Sequence, residues 1–422
     1  MKIAFLSTRI HGLDGVSLEI RKWASILVEL GHELYYCAGE LGDQPNALLI
    51  PEMHFTHPLV EQVQQLAFGQ VERDAQLNDL IQQLVQRLSA QIGFFLSENR
   101  IDVIIPENIL TIPMNIPLGI ALSNLIREGN IPTVAHHHDF YWERERFSQN
   151  CIPDLLDRYF PPDLPSMHHV VINSLAQEQL QKKKGVRAEI IPNVFDFTHP
   201  VSVPSISTSD LRRELGIQPG EIMVLQPTRI IPRKGIELAI DLVAALRQPA
   251  KRAALGGRDT KLVISHPSGD EGGEYLAMLL QKAKELDIAL ILADQLLAPA
   301  GRDASLTLWD AYRCADLVTY PSSMEGFGNA LLEALYFRKP VVINRYPVYE
   351  RDIQPLGLDL IEMSGSVNAE VVEQVIAVLN DTQRREKMGD LNFSIAKEHF
   401  SYEAIEPKLD KMMGLFALHR EK

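Results

Sequence analysis

The chain has 422 residues, of which 46% are hydrophobic and 23% charged, with a formal net charge of −14. This length and composition suit two or three globular domains with sizeable cores. The acidic balance argues against a nucleic-acid partner and, more weakly, against an anionic membrane surface, because both prefer basic patches.

No run of 18 apolar residues is present, so no transmembrane segment is expected. Cys37, Cys151 and Cys314 are scattered and odd in number. They imply neither a disulfide framework nor a metal cluster, and they suit a reducing cytoplasm.

In chain order, Ile3 to Thr8 is a short apolar run and predicts a buried first strand. Arg9, His11 and Asp14 break it, so it does not read as a signal peptide. Val16, Ile20, Trp23, Leu27 and Leu30 have helical spacing, and Gly31 follows as a C-cap. Glu33 to Cys37 is the next strand, which completes a βαβ unit and predicts a parallel sheet. Leu59 to Phe95 is rich in Gln and Leu with helical periodicity and predicts one or two helices. Further strands are expected at Val103 to Pro106, Thr133 to His136 and His169 to Ile172. Lys182 to Lys184 reads as a helix end whose charges serve the dipole and solubility.

Residues 198–209 are rich in Pro, Ser and Thr and suit a linker. Asp210 is expected to cap a helix from Leu211 to Leu215, where a second alternating half begins. Its strands are placed at Ile222 to Gln226, Lys261 to Ser265, Ala289 to Ala293, Leu317 to Tyr320 and Val341 to Ile343. Tyr402 to Leu418 closes the chain as a helix. The expected organisation is α/β: two Rossmann-like doubly wound domains, 1–197 and 210–395, followed by a C-terminal segment, 396–422. Ligands in such folds settle at the C-terminal ends of the strands.

Three clusters carry the chemistry. Glu325 to Glu333 reads EGFGNALLE, two carboxylates eight positions apart with a glycine turn and a helix start between them. The first-turn amides and the positive dipole end suit a phosphate or a leaving group gaining negative charge. Glu325 could meet a sugar, and Glu333 could hold ribose hydroxyls. Arg229 and Lys234-Gly235 follow the strand Ile222 to Gln226 and form a plausible diphosphate clamp. His136-His137-His138-Asp139 follows the strand at Thr133. Adjacent side chains there alternate faces, and no Cys or third-strand carboxylate at useful spacing supports zinc, so no metal site is expected. Tyr141 to Arg146 reads either as an acceptor-site lining or as the start of a solvated helix.

The text PSSMEGFGN with Glu333-Ala334, and then ALYFRKPVV, resembles the E-x7-E region of the retaining glycosyltransferase family 4. Arg229 and Lys234-Gly235 resemble that family's R-x4-KG element, and His138-Asp139 its His-Asp element. His137 takes the latter place if the register slips by one. The first turn, with Gly12 and Gly15, is similar to the glycine-bearing loop beside the transferred group and the acceptor, although its glycines are not adjacent. Gly269 to Tyr275 reads either as an acidic surface loop or, by the same resemblance, as the loop before the helix that leads toward the base pocket.

The resemblance implies a GT-B fold with the active site in a cleft between the domains. It implies that the C-terminal helix crosses back to the first domain, and that domain closure excludes water. It assigns donor diphosphate to Arg229 and Lys234, sugar hydroxyls to Glu325 and His138, and ribose to Glu333. Gly326, Phe327, Gly328 and Asn329 would line the donor site. The reaction implied is retaining transfer of a hexose from a nucleotide-diphosphate sugar to a small soluble acceptor of the sugar, sugar phosphate or glycosylglycerate type. Alternatives are a lipid-linked or polysaccharide acceptor at a membrane, and a nucleotide-sugar epimerase or non-catalytic sugar-nucleotide binder. The donor sugar is a substrate and no tightly bound cofactor is expected. Mg2+ as an assistant stays open, as do the donor base and the oligomeric state.

Overall fold

The structure, a computed structural model, describes all residues except 13, 200, 202–206, 269–272, 298–305 and 419–422. The loop expected to lead toward the base pocket therefore lies largely outside the described residues, and so does the middle of the expected linker. The chain divides into two units. One is Met1–Asn193 together with the residues from Ile405 onward, and the other is Val194–Ala404. Phe195 belongs with the second unit because its ring packs 5.6 Å from Trp309 and 4.9 Å from Tyr336.

The first unit holds a seven-stranded sheet. Its strands are β1 (Lys2–Ser7), β2 (Glu33–Ala38), β3 (Ala47–Leu49), β4 (Val103–Pro106), β5 (Thr133–His137), β6 (Met167–Val171) and β7 (Ala188–Ile190). The second unit holds β8 (Ile222–Gln226), β9 (Thr260–Ile264), β10 (Leu290–Leu292), β11 (Leu317–Tyr320), β12 (Val341–Asn344) and β13 (Ile361–Met363). The orders are β3-β2-β1-β4-β5-β6-β7 and β10-β9-β8-β11-β12-β13, and the paired strands are parallel. Each sheet is therefore doubly wound and reverses its building direction once, at β1/β4 in the first and at β8/β11 in the second. In open α/β sheets ligands bind outside the strand C-termini at such reversal points.

Helices cover the sheets because their apolar stripes match the strands' buried faces. The helix Gly15–Glu29 is capped by Asp14, whose carboxylate accepts the Ser17 amide at 3.1 Å. It buries Ile20, Trp23 and Leu27 completely. The Gln- and Leu-rich stretch forms two helices, Pro58–Ala67 and Ala75–Asn99. The C-terminal helix spans Tyr402–Leu418.

Some local expectations change. The helix expected from Leu211 spans Thr208–Glu214, and Ser207 is its cap, not Asp210. Asp210 lies in its first turn and accepts the Ser207 hydroxyl at 2.6 Å, because a serine three residues earlier offers the cap first. Tyr141–Glu143 and Glu145–Phe147 are single 3-10 turns and do not start a helix. The short edge strands β3, β7 and β13 were not anticipated. Three residues with one covered side carry too little periodicity to be read.

Candidate active site

In the second unit the site is assembled where β8 and β11 end side by side. Arg229 is exposed just beyond β8. Pro232–Lys234 forms a 3-10 turn that ends at Gly235, which is left-handed at φ 59°. A Cβ on Gly235 would stand 2.4 Å from the Pro321 carbonyl oxygen, so only glycine lets this loop lie against the loop after β11. The Ser323 amide donates to the Arg233 carbonyl at 2.9 Å and completes the contact.

This approach delivers Lys234 to Glu325. The ammonium makes an ion pair with Glu325 Oε1, while the Arg233 guanidinium donates to Oε2 at 2.8 Å and to the Met324 carbonyl at 3.1 Å. Lys234 also lies 5.8 Å above the Tyr320 ring. Burial pulls the Lys234 ammonium below its ordinary range, and Glu325 opposes that shift. Burial would raise the Glu325 carboxyl, but Lys234 and Arg233 outweigh it and hold it low. The pairing favours the charged form of both groups, an arrangement that a nearly buried carboxylate requires. Burial, with Arg229 and Lys234 nearby, lowers His266 beyond β9 to about 4.

Gly326 is exposed and Phe327 is buried. Gly328 caps the helix Asn329–Tyr336 at φ 143°, and a Cβ there would meet the Tyr346 and Tyr320 hydroxyls at 2.9 and 3.2 Å. Tyr346 in turn donates to the Phe327 carbonyl at 2.6 Å. These contacts fix the helix start. Glu333 lies about one turn into this helix, whereas Glu325 sits in the turn before it. The fully buried Tyr312 hydroxyl donates to Glu333 Oε2 at 2.8 Å.

In the first unit, β4 and β5 end in a polar cluster. Glu107 follows β4 and forms a parallel bridge with His136. Its buried carboxylate accepts from His136 Nδ1 at 3.0 Å and from His138 Nε2 at 2.9 Å. Although no carboxylate stands at a metal-site spacing in the sequence, one at the end of a neighbouring strand does approach two of the histidines. Glu107 is about 30 positions away in sequence yet adjacent in the sheet. Among the described residues, Glu107, His136 and His138 are the three whose ligand-type atoms converge, within 4.8 Å. Glu107 joins the two imidazoles through His136 Nδ1 and His138 Nε2.

Asn108, left-handed at φ 60°, accepts the His138 amide at 3.0 Å and donates to Asp139 at 2.7 Å. Asp139 also pairs with Arg144. His137 points to the opposite face, where its Nε2 meets His169 Nδ1 at 2.9 Å. Gly12 is left-handed at φ 100° and Gly15 opens the first helix, with Asp14 between them held by Arg9 at 3.0 Å. Sequence reasoning passed over Glu107, Asn108, His266 and Tyr312. The signal available was that the first three directly follow strands.

The His137–His169 pair makes a prediction about acid stability. Burial holds His169 at about 4 and His137 well below the ordinary value of 6.5. His32, His54, His136 and His266 are lowered too, while only His138 among the described residues is raised. The unfolded chain then binds more protons between about pH 6.5 and 4, so stability falls as the pH drops through that window. The midpoint of thermal unfolding should decline from pH 7 to 5, and His169→Gln should flatten the decline. A midpoint independent of pH there would refute this.

Two doubly wound parallel sheets, each with a polar cluster at its reversal point, define a GT-B architecture. Anabaena HepE, solved in complex with UDP and glucose, superposes with a TM-score of 0.66 at 18% identity, covering 98% of this chain and 99% of its own. The glycosyl transferases group 1 family matches residues 207–392. The chain is also 36% identical to mannosylglucosylglycerate synthase of Thermotoga maritima, covering 97% of this chain and 99% of that one. The corresponding synthase of Petrotoga mobilis is 31% identical over 95% of this chain and 98% of its own. The chain belongs to the glycosyl transferases group 1 family and is a hexosyltransferase. No helix among the described residues is long and apolar enough to cross a membrane.

Proposed function

We propose that this enzyme transfers mannose from a nucleotide-diphosphate mannose to glucosylglycerate, with retention at the anomeric carbon. The observation that carries this reading is the full-length likeness to two synthases named for the product mannosylglucosylglycerate. The site geometry supports the donor half. A Lys234–Arg233–Glu325 cluster at the β8/β11 reversal, beside a helix start, is suited to a diphosphate and a sugar.

In this reading the acceptor hydroxyl attacks C1 from the face of the leaving group. The C1–O bond to the diphosphate breaks, and the leaving phosphate oxygen takes the acceptor proton. Arg229, Lys234 and the helix-start amides at Gly328 and Asn329 stabilise the growing charge. Gly326 and Phe327 shape the donor turn. Glu325 and His138 take hydroxyls of the transferred sugar, and Glu333, oriented by Tyr312, takes the ribose. The loop bearing Gly12 and Gly15, with Asp139, borders the acceptor. Mg2+ would assist by shielding the diphosphate. The three cysteines are free and buried, which suits a soluble enzyme of a reducing cytoplasm.

The test is transfer by the purified protein from GDP-mannose and UDP-glucose to glucosylglycerate and glycerate, with Mg2+ or EDTA. A thermal-shift series with the same nucleotides runs beside it. Product from a mannose donor and glucosylglycerate alone is expected, with a rise in stability from the matching nucleoside diphosphate. Glu333→Ala should weaken donor binding by about tenfold or more, the loss of a charge-assisted hydrogen-bond set. Unchanged donor affinity would remove Glu333 from the ribose site. Donor hydrolysis or isomerisation without an acceptor would overturn the transferase reading.

A further inference from the structure

The polar cluster at the end of β4 and β5 contains a carboxylate to which neither the sequence nor the family likeness gives a role. Glu107 lies at the reversal point of the first sheet, wholly buried, and accepts a hydrogen bond from each of two imidazoles. The three partners are not equivalent. His136 is clamped: its ring stacks on Trp23 with centroids 4.2 Å apart, and its Nε2 is buried without a hydrogen-bond partner. A ring in that setting donates Nδ1–H to Glu107 and leaves a bare Nε2, because a buried N–H with no acceptor would be costlier than a buried lone pair.

His138 sits two residues on and on the same face, with ring centroids 4.4 Å apart, at the mouth of the strand ends with 9% of its side chain exposed. Its Nε2–H is taken by Glu107 and its backbone amide by Asn108. Both ends of the residue are thereby fixed, and Nδ1 is the ring's remaining nitrogen.

We propose that Glu107 is a positioning residue: it anchors His138 through Nε2–H, so that Nδ1 is the nitrogen offered to the transferred sugar. The proposal rests on the hexosyl-transfer reading for the word "sugar"; the anchoring stands on geometry alone. His136, rigid under Trp23, keeps the carboxylate in place. Glu107 also sets the charge. The groups around His138 are Glu107 after β4, His136, His137 and Asp139 along its own segment, and Glu19 from the helix Gly15–Glu29, which itself pairs with Lys22. Burial works against the His138 cation, yet the hydrogen bond and charge of Glu107 outweigh it and raise the ring's value. A His138 imidazolium then donates Nδ1–H to a sugar oxygen, and this donation is lost as the pH rises through its pKa.

The test uses Glu107→Gln, His138→Gln and the double variant in the full chain. Wild-type transfer to glucosylglycerate comes first; if it is absent, the functional reading fails, and the histidine titration below still judges the anchoring. With transfer present, Glu107→Gln should lower kcat/KM by about 100-fold, the scale of a misplaced contact. It should also move the alkaline limb of the profile about 1–3 units toward lower pH, since an anion beside the ring is gone. His138→Gln should abolish that limb, and the double variant should be no worse than His138→Gln alone.

In the resting enzyme, labelled with 15N-histidine, the resonance missing from His138→Gln should titrate at lower pH in Glu107→Gln. An unshifted limb and titration would overturn the proposal. So would an undiminished Glu107→Gln effect in the His138→Gln background, or a stoichiometric metal ion lost with Glu107→Gln. If Glu107→Gln does not fold, Glu107→Asp replaces it. That variant keeps the anion but shortens its reach, so kcat/KM should fall while the limb stays near its wild-type position, and an unchanged rate would count against the anchor.

Discussion

Lys234→Ala is expected to reduce turnover by about 10²–10³-fold with the fold retained, on the scale of removing one preorganised stabiliser of transition-state charge. That corresponds to roughly 3–4 kcal/mol of the barrier. The size follows from where the ammonium sits. It is nearly buried, ion-paired to Glu325, and placed at the end of β8, where a diphosphate would gain charge as C1–O breaks. Removing it also leaves Glu325 with Arg233 as its neighbouring cation, so some loss of stability accompanies the loss of rate. Lys234→Met keeps the volume and separates packing from charge. Steady-state kinetics with thermal unfolding of both variants is the check. A fully active Lys234→Ala enzyme would remove this residue from the diphosphate site.

Gly235→Ala should be nearly as severe, for a backbone reason. An alanine must adopt φ 59°, which costs about 1–2 kcal/mol, and its Cβ would press on the Pro321 oxygen at 2.4 Å. A carbonyl in a strand-end loop cannot swing away like a flexible side chain. The two loops must part, and Lys234 then moves away from Glu325. Gly220→Ala is the control, because Gly220 is also left-handed, at φ 85°, yet nothing lies within 4 Å of the added Cβ. Gly220→Ala should lower the unfolding temperature only slightly, whereas Gly235→Ala should lower it further and weaken donor binding. Equal effects of the two substitutions would show that the close approach does not matter.

Much of this could be read without coordinates. The strands at Val103–Pro106, Ile222–Gln226 and Leu317–Tyr320 were placed to the residue, because a fully buried parallel strand is a compact apolar run between turn signals. The C-terminal helix Tyr402–Leu418 was likewise legible. Local chemistry also singled out Arg229, Lys234 and Glu325, which lie in strand-end loops marked by glycines and charges, and Glu333, which lies in the helix that follows.

What the sequence could not show was which loops are neighbours. Glu107 and His138 are 31 positions apart, and only the β4–β5 pairing sets them 2.9 Å from each other. Strand alternation sets His137 and His138 on opposite faces, but only the fold shows that His137 meets the His169 side chain on β6 while His138 meets Glu107. Tyr312 meets Glu333 because the helix Leu308–Cys314 packs beside the helix start, a contact no local pattern encodes. By itself the sequence determined most of the strands and helices and the two doubly wound halves, because short-range periodicity and turn chemistry fix those. Tertiary structure alone decided the partners and orientations of the site residues, and with them the directions in which the pKa values of His138, Lys234 and Glu325 shift. Burial and pairing are properties of strands brought side by side, not of residues adjacent along the chain.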